Sequence, residues 1–203
     1  MSTISIAKSR KPALHSVHTV SMTALLAAVA YLLAFLEFPV PLSPSFARMD
    51  LSDLPALIGA FAFGPLSGVL IELVQNTLQL LTTSTGGVGE IANFLMGASY
   101  VVTAGFIYKH RKTKKTALIA CILASIVMGI AAALANYFIL LPLFENFMPL
   151  DQLIASFAEF LPFIRTKLDV VLFNAFPFNL LKGLVIGGVT MLIYKRLTPV
   201  LKG

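Results

Sequence analysis

The chain has 203 residues, of which 58% are hydrophobic and 12% charged, and its mean hydropathy is +0.89. A soluble domain carries about 25% charged residues, so a water-facing globule is excluded: there are too few polar side chains to cover one. The net charge of +6 does not indicate nucleic acid, because the basic residues gather in short blocks beside apolar runs, which is the pattern that orients membrane helices.

In chain order, Lys8, Arg10 and Lys11 precede a first apolar run at 19–36. No small-residue cleavage site follows it, so it reads as a retained helix. The next segment, FPVPLSPSFARMD, carries Pro39, Pro41 and Pro44 and reads as a stiff extended loop. A helix is predicted from Asp53 to Phe63, with Ser52 or Asp53 as its cap and Pro55 in its first turn. Gly64-Pro65 breaks it, and a third helix runs to about Leu81. After the glycine-rich TTSTGGVGE come a fourth helix at 91–108, the basic block KHRKTKK, and a fifth helix at 117–141 that stops at Pro142. The segment 144–169 is amphipathic and is expected to hold a short interfacial helix. A sixth helix covers 170–194, interrupted near Pro177.

The expectation is an all-α integral membrane protein with six transmembrane helices. Residues 1–18 form a basic tail, 19–197 the membrane domain and 198–203 a C-terminal tail. Six crossings put both termini on one side together with KHRKTKK, whereas Glu145, Asp151, Glu159 and Asp169 oppose only Arg165 and Lys167 in the last loop. The positive-inside rule then places both termini in the cytoplasm of a multi-pass cell-membrane protein.

Polar groups within spans are functional candidates by default. Glu72, Gln75, Asn76 and Gln79 share one face of the third helix; they form either an interhelical hydrogen-bond network or one wall of a cavity. Asn136 lies on the fifth helix, and Asn179 and Lys182 lie three apart on the sixth. Arg48 and Asp50 could pair with each other in the first loop, beside Asp53; Glu90 and Asn93 follow the glycine loop. Small residues four apart (Ala24 and Ala28, Ala30 and Ala34, Gly129 and Ala133, Gly183 and Gly187) serve either packing within the chain or docking to another membrane protein. No P-loop, H-E-x-x-H or G-x-S-x-G motif is present, and the one cysteine, Cys121, sits in an apolar run. The sequence therefore offers no catalytic residues and no metal ligands. Amide-rich walls with one cation suit a neutral or weakly anionic ligand that both donates and accepts hydrogen bonds.

The runs ARMDLSDLPALIGAFAFGPLSG, VGEIANFLMG, LANYFILLP and FPFNLLKG resemble, in this order and spacing, the riboflavin-specific substrate-binding (S) components of energy-coupling factor (ECF) transporters. The resemblance spans nearly the whole chain. It implies a six-helix bundle that binds riboflavin beneath the first loop, with flavin mononucleotide a further candidate, and carries no cofactor. It implies docking to a transmembrane coupling protein and two cytoplasmic ATPases through small residues of the first helix, here Ala24, Ala28, Ala30 and Ala34. It assigns Asn136, Asn179 and Lys182 to the ligand, with Asp50, Gln79 and Asn93 beside the pocket. An S component for another vitamin is the nearest alternative. Further alternatives are a proton-coupled carrier using Glu72 and Asp53 as relay, and an assembly factor without a small-molecule ligand.

Overall fold

A computed structural model describes residues 17–39, 48–83 and 85–202. The apolar runs become helices: α1 (Val17–Ala34), α2 (Asp53–Phe63), α3 (Pro65–Gln79) and α4 (Val88–His110). A rod labelled α5 follows over Lys114–Phe144. Then come α6 (Leu150–Ala158) and a last rod, α7, made of Lys167–Val170, a π turn at Val171–Ala175 and Phe176–Lys202. Among the described residues four helices, α1, α4, α5 and α7, are long and apolar enough to cross a membrane. α2 and α3 are shorter apolar helices packed among these four, and the segment 144–169 does hold a short helix, α6. The final helix continues to Lys202, through the 198–202 stretch expected to leave it as a tail.

α2 and α3 form a tight antiparallel hairpin. Gly64 joins them at φ 109°, a conformation that side-chain-bearing residues rarely adopt, and Pro65 opens α3 where a missing N–H does no harm. These two helices are only 11 and 15 residues long. At 1.5 Å per residue each falls short of a hydrocarbon core about 30 Å thick, which recesses the start of α2 within the bundle.

Pro142 does not end α5, contrary to expectation. The backbone widens into a π turn at Asn136–Leu140 and continues through the proline to Phe144. The same device precedes Pro177 in α7. A proline removes one N–H and its ring crowds the carbonyl four residues earlier; widening the preceding turn accommodates both effects without breaking the rod. The two π turns lie at corresponding ends of neighbouring helices, and Lys167 Nζ sits 4.7 Å above the Tyr137 ring, joining the start of α7 to the π turn of α5.

The main core joins α1 to α5 and α7 through Ala56, Leu57, Ile71, Tyr100, Ala104, Ala120, Met128 and Ile186. Gly183 and Gly187 lie directly against Ser125 and Cys121 of α5, so this small-residue pair serves packing within the chain. Outward, α5 presents Leu118, Ile119, Ile122, Leu123, Ile126, Val127 and Ile130, a lipid-facing stripe whose exposure in water would be costly. A second apolar cluster (Leu141, Leu153, Phe157, Ile164, Val170 and Val171) holds α6 against the ends of α5 and α7. The first loop returns on itself, with Phe38–Pro39 paired antiparallel to Arg48–Met49.

Candidate functional site

Where α2, α4 and α7 meet, a lysine is buried among carboxylates. Lys182, two turns into the α-helical part of α7, is 3% exposed. A lone ammonium there would carry a large desolvation cost. Asp53 Oδ2 lies 2.7 Å from its Nζ and Asp50 Oδ2 lies 3.7 Å away. The ammonium also donates to Asn93 Oδ1 at 2.9 Å. Three chain segments thus converge on one cation.

The cluster extends inward along α3. Asn93 Nδ2 donates to Asn76 Oδ1 at 3.1 Å. Asn76 in turn donates to the Glu72 backbone carbonyl at 2.8 Å and to Glu72 Oε2 at 3.2 Å, and Gln75 Nε2 donates to Glu72 Oε2 at 3.2 Å. Asp53, Glu72 and Gln75 are all fully buried. Gly97 of α4 makes this possible: a Cβ there would stand 2.6 Å from Glu72 Oε2 and 2.7 Å from Asp53 Oδ1, so only a glycine leaves the two carboxyl groups room to approach each other.

Of the six residues expected to line a ligand site, the structure gathers Lys182, Asp50 and Asn93 into this one cluster. Asp50 faces Lys182, and its Oδ1 accepts from the Ser52 amide at 2.7 Å and the Ser52 hydroxyl at 2.6 Å. The expected capping of α2 is absent: Ser52 makes no side-chain cap bond, and Asp53 turns inward to the lysine. Asn179 sits one turn before Lys182 and donates to the Ala175 carbonyl of its own helix at 2.9 Å. Asn136 likewise donates to Ala132 at 2.8 Å, at the start of the α5 π turn. Both asparagines therefore bond locally. Gln79 ends α3, half-buried, one turn beyond Asn76.

Asp53, Glu72, Gln75 and Asn76 complete the cluster although they were not among the six. The i, i+3, i+4 spacing on α3 marked three of them as one polar face. Nothing local to Asp53 marked it as the lysine's partner, because that partner lies 129 positions away.

The four alanines of α1 divide. Ala24 and Ala28 are exposed, and Ala24 lines a shallow groove of about 200 Å³ with Thr23, Ser67 and Leu70. Ala30 and Ala34 are 0% and 5% exposed and pack into the chain's own bundle. This corrects the expectation that all four form one outward face.

Comparison with known proteins agrees with this architecture. Residues 18–194 match the model for the ECF transporter, substrate-specific component. The chain is 40% identical to riboflavin transporter RibU of Staphylococcus aureus, over 91% of this chain and 90% of that protein. It is 31% identical to riboflavin transporter FmnP of Bacillus subtilis, over 88% and 90%. A solved structure described as the S component of a bacterial ECF transporter superposes with a TM-score of 0.71 at 37% identity, covering 91% of this chain and 98% of that one. The chain belongs to the substrate-specific components of ECF transporters, which are membrane transport subunits and not enzymes.

Proposed function

We propose that this chain is the riboflavin-capturing subunit of an ECF-type uptake transporter. The observation that carries this reading is the 40% identity to a riboflavin transporter over nine-tenths of both chains; the Lys182 cluster beneath the first loop supports it chemically. The pyrimidine end of a flavin alternates donors and acceptors. An ammonium held by Asp53 and Asn93, with the amides of Asn136 and Asn179 nearby along the two π-turned helices, offers a complementary set. Among 16 phenylalanines the apolar ring edge finds its wall. The six contacts of this site are Asn136, Asn179, Lys182, Asp50, Gln79 and Asn93.

The chain makes six crossings in this reading, the short α2 and α3 completing theirs with the recessed segments that flank them, with both termini and the basic stretch 109–115 in the cytoplasm and the Lys182 cluster towards the outer face. Energy comes from a transmembrane coupling protein with two ATPases, docked on the exposed Ala24 and Ala28 side of α1, where small side chains permit close helix approach.

The test is an absorbance spectrum of detergent-purified protein, then titration of flavin fluorescence on ligand-depleted protein; the chain has no tryptophan to serve as an internal reporter. Saturable quenching at about one flavin per chain, as expected of a single-site binder, supports the assignment. A colourless protein indifferent to riboflavin and flavin mononucleotide overturns it and turns the search to other vitamins. For docking, Ala28→Leu should leave flavin binding intact and abolish assembly with the coupling protein; uptake that survives the change moves the docking face elsewhere.

A further inference from the structure

At the far end of α2 from Asp53, where the chain turns into α3, the structure holds a cavity of about 560 Å³, within the roughly 300–1,000 Å³ of small-molecule sites. A difference in helix length creates it. The hairpin turn stops level with Gly105, where a Cβ would stand 3.0 Å from Pro65. α4 runs on to His110, about 7.5 Å further at 1.5 Å per residue. The turn therefore forms a step beside the end of α4. Gly64 opens onto that step: a Cβ there would meet nothing within 4 Å.

Wall and rim differ in chemistry. Phe63, Leu66 and Phe106 line the cavity with apolar surface, together with Phe61 and Tyr108, whose ring centroids lie 4.4 Å apart. Lys109 and Lys112 complete the lining. Both are exposed, and neither has an ion-pair partner among the described residues. The chain supplies no anion at this end. No acidic residue occurs in 54–71 or 91–144, the stretches that build the cavity, and 1–16 and 194–203 carry six basic residues and no acidic side chain. A cavity with an apolar wall and two cations at its edge is complementary to an amphiphile with an anionic head.

We infer that this cavity binds an anionic phospholipid, with its phosphate at Lys109 and Lys112 and an acyl chain against Phe63, Leu66 and Phe106. Lysine suits that place, because its aliphatic stem lies along apolar surface while its ammonium reaches the headgroup layer. A free phosphate would satisfy the lysines and leave the aromatic wall bare; a lipid covers both. The inference needs only that the chain is embedded in a bilayer, so it stands or falls apart from the flavin reading.

Native mass spectrometry of the detergent-purified protein tests this, with phosphatidylglycerol set against phosphatidylcholine of the same acyl chains. The expected result is one phosphatidylglycerol retained per chain and little phosphatidylcholine. Lys109→Gln combined with Lys112→Gln should lower phosphatidylglycerol affinity by about 25-fold, about fivefold for each lysine, with the circular dichroism spectrum unchanged. Lys114→Gln combined with Lys115→Gln removes the same charge from the same basic stretch but not from the cavity lining, and should leave retention intact. Equal retention of the two lipids overturns the inference, as does an equal loss in the two double variants, since the basic stretch would then attract lipid diffusely. Displacement of phosphatidylglycerol by inorganic phosphate overturns it in favour of a free-anion site. Undiminished retention in the Lys109→Gln, Lys112→Gln variant also overturns it, and if that variant fails to assemble with the coupling protein, the cavity belongs to a protein partner instead.

Discussion

Two polar regions of this bundle are held in opposite ways. The Lys182 cluster is tertiary: its members come from the first loop, α2, α3, α4 and α7, and Lys182, Asp50, Asp53, Asn93 and Asn76 are each held by a residue from another segment. The π turns of α5 and α7 are local: Asn136 and Asn179 are tied to carbonyls four residues back in their own helices. The first arrangement cannot lose a member without stranding a buried charge, and the second can lose an amide while the helix stays whole. Stability and ligand contact are therefore coupled in one region and separable in the other.

The sharpest way to break this contrast is Lys182→Ala. It leaves Asp53 unpaired in the interior and should destabilise the protein by about 3–5 kcal/mol while removing measurable flavin binding, read by thermal unfolding in detergent and by titration. Adding Asp53→Ala to that variant should recover most of the stability, because an absent pair costs less than a broken one, and none of the affinity. A smaller effect is expected at the π turns. Asn179→Ala or Asn136→Ala should weaken flavin binding by about tenfold, the value of one or two hydrogen bonds, with an unchanged unfolding midpoint; a large drop in that midpoint would show that the amides are structural after all. The mildest change is Pro142→Ala, which restores an N–H and lets the turn relax towards α-helix. It should shift Asn136 and lower affinity by about threefold, on the order of half a hydrogen bond, with helix content by circular dichroism preserved.

Much of the bundle was legible because hydropathy reports length and burial directly. The four long apolar helices, the Gly64-Pro65 break and a short helix within 144–169 all follow from composition and punctuation. The π turns did not, because a proline in sequence reads as a stop, and only neighbouring packing decides that the rod continues. Asp53 misled for a similar reason: at a helix start an aspartate reads as a cap, and its lysine is supplied by the other end of the chain. The alanines of α1 carried information that spacing alone concealed. Residues four apart share a face, but at about 100° per residue Ala30 points roughly 240° away from Ala24, so the two pairs cannot meet the same neighbour. Glu72 was visible as part of a polar face, yet its close approach to Asp53 depends on Gly97 of another helix.

The separate apolar cluster beneath α6 has a dynamic consequence. Leu153, Phe157 and Ile164 fasten α6 to Leu141, Val170 and Val171 rather than to the main core, and Phe147 rests on Gly86 of the glycine loop. The stretch from 145 to 166 therefore has a core of its own, distinct from the main one, and local opening there leaves the main core packed. In hydrogen exchange its amides should trade protons well before those of α4 and α5, because a smaller apolar cluster holds them.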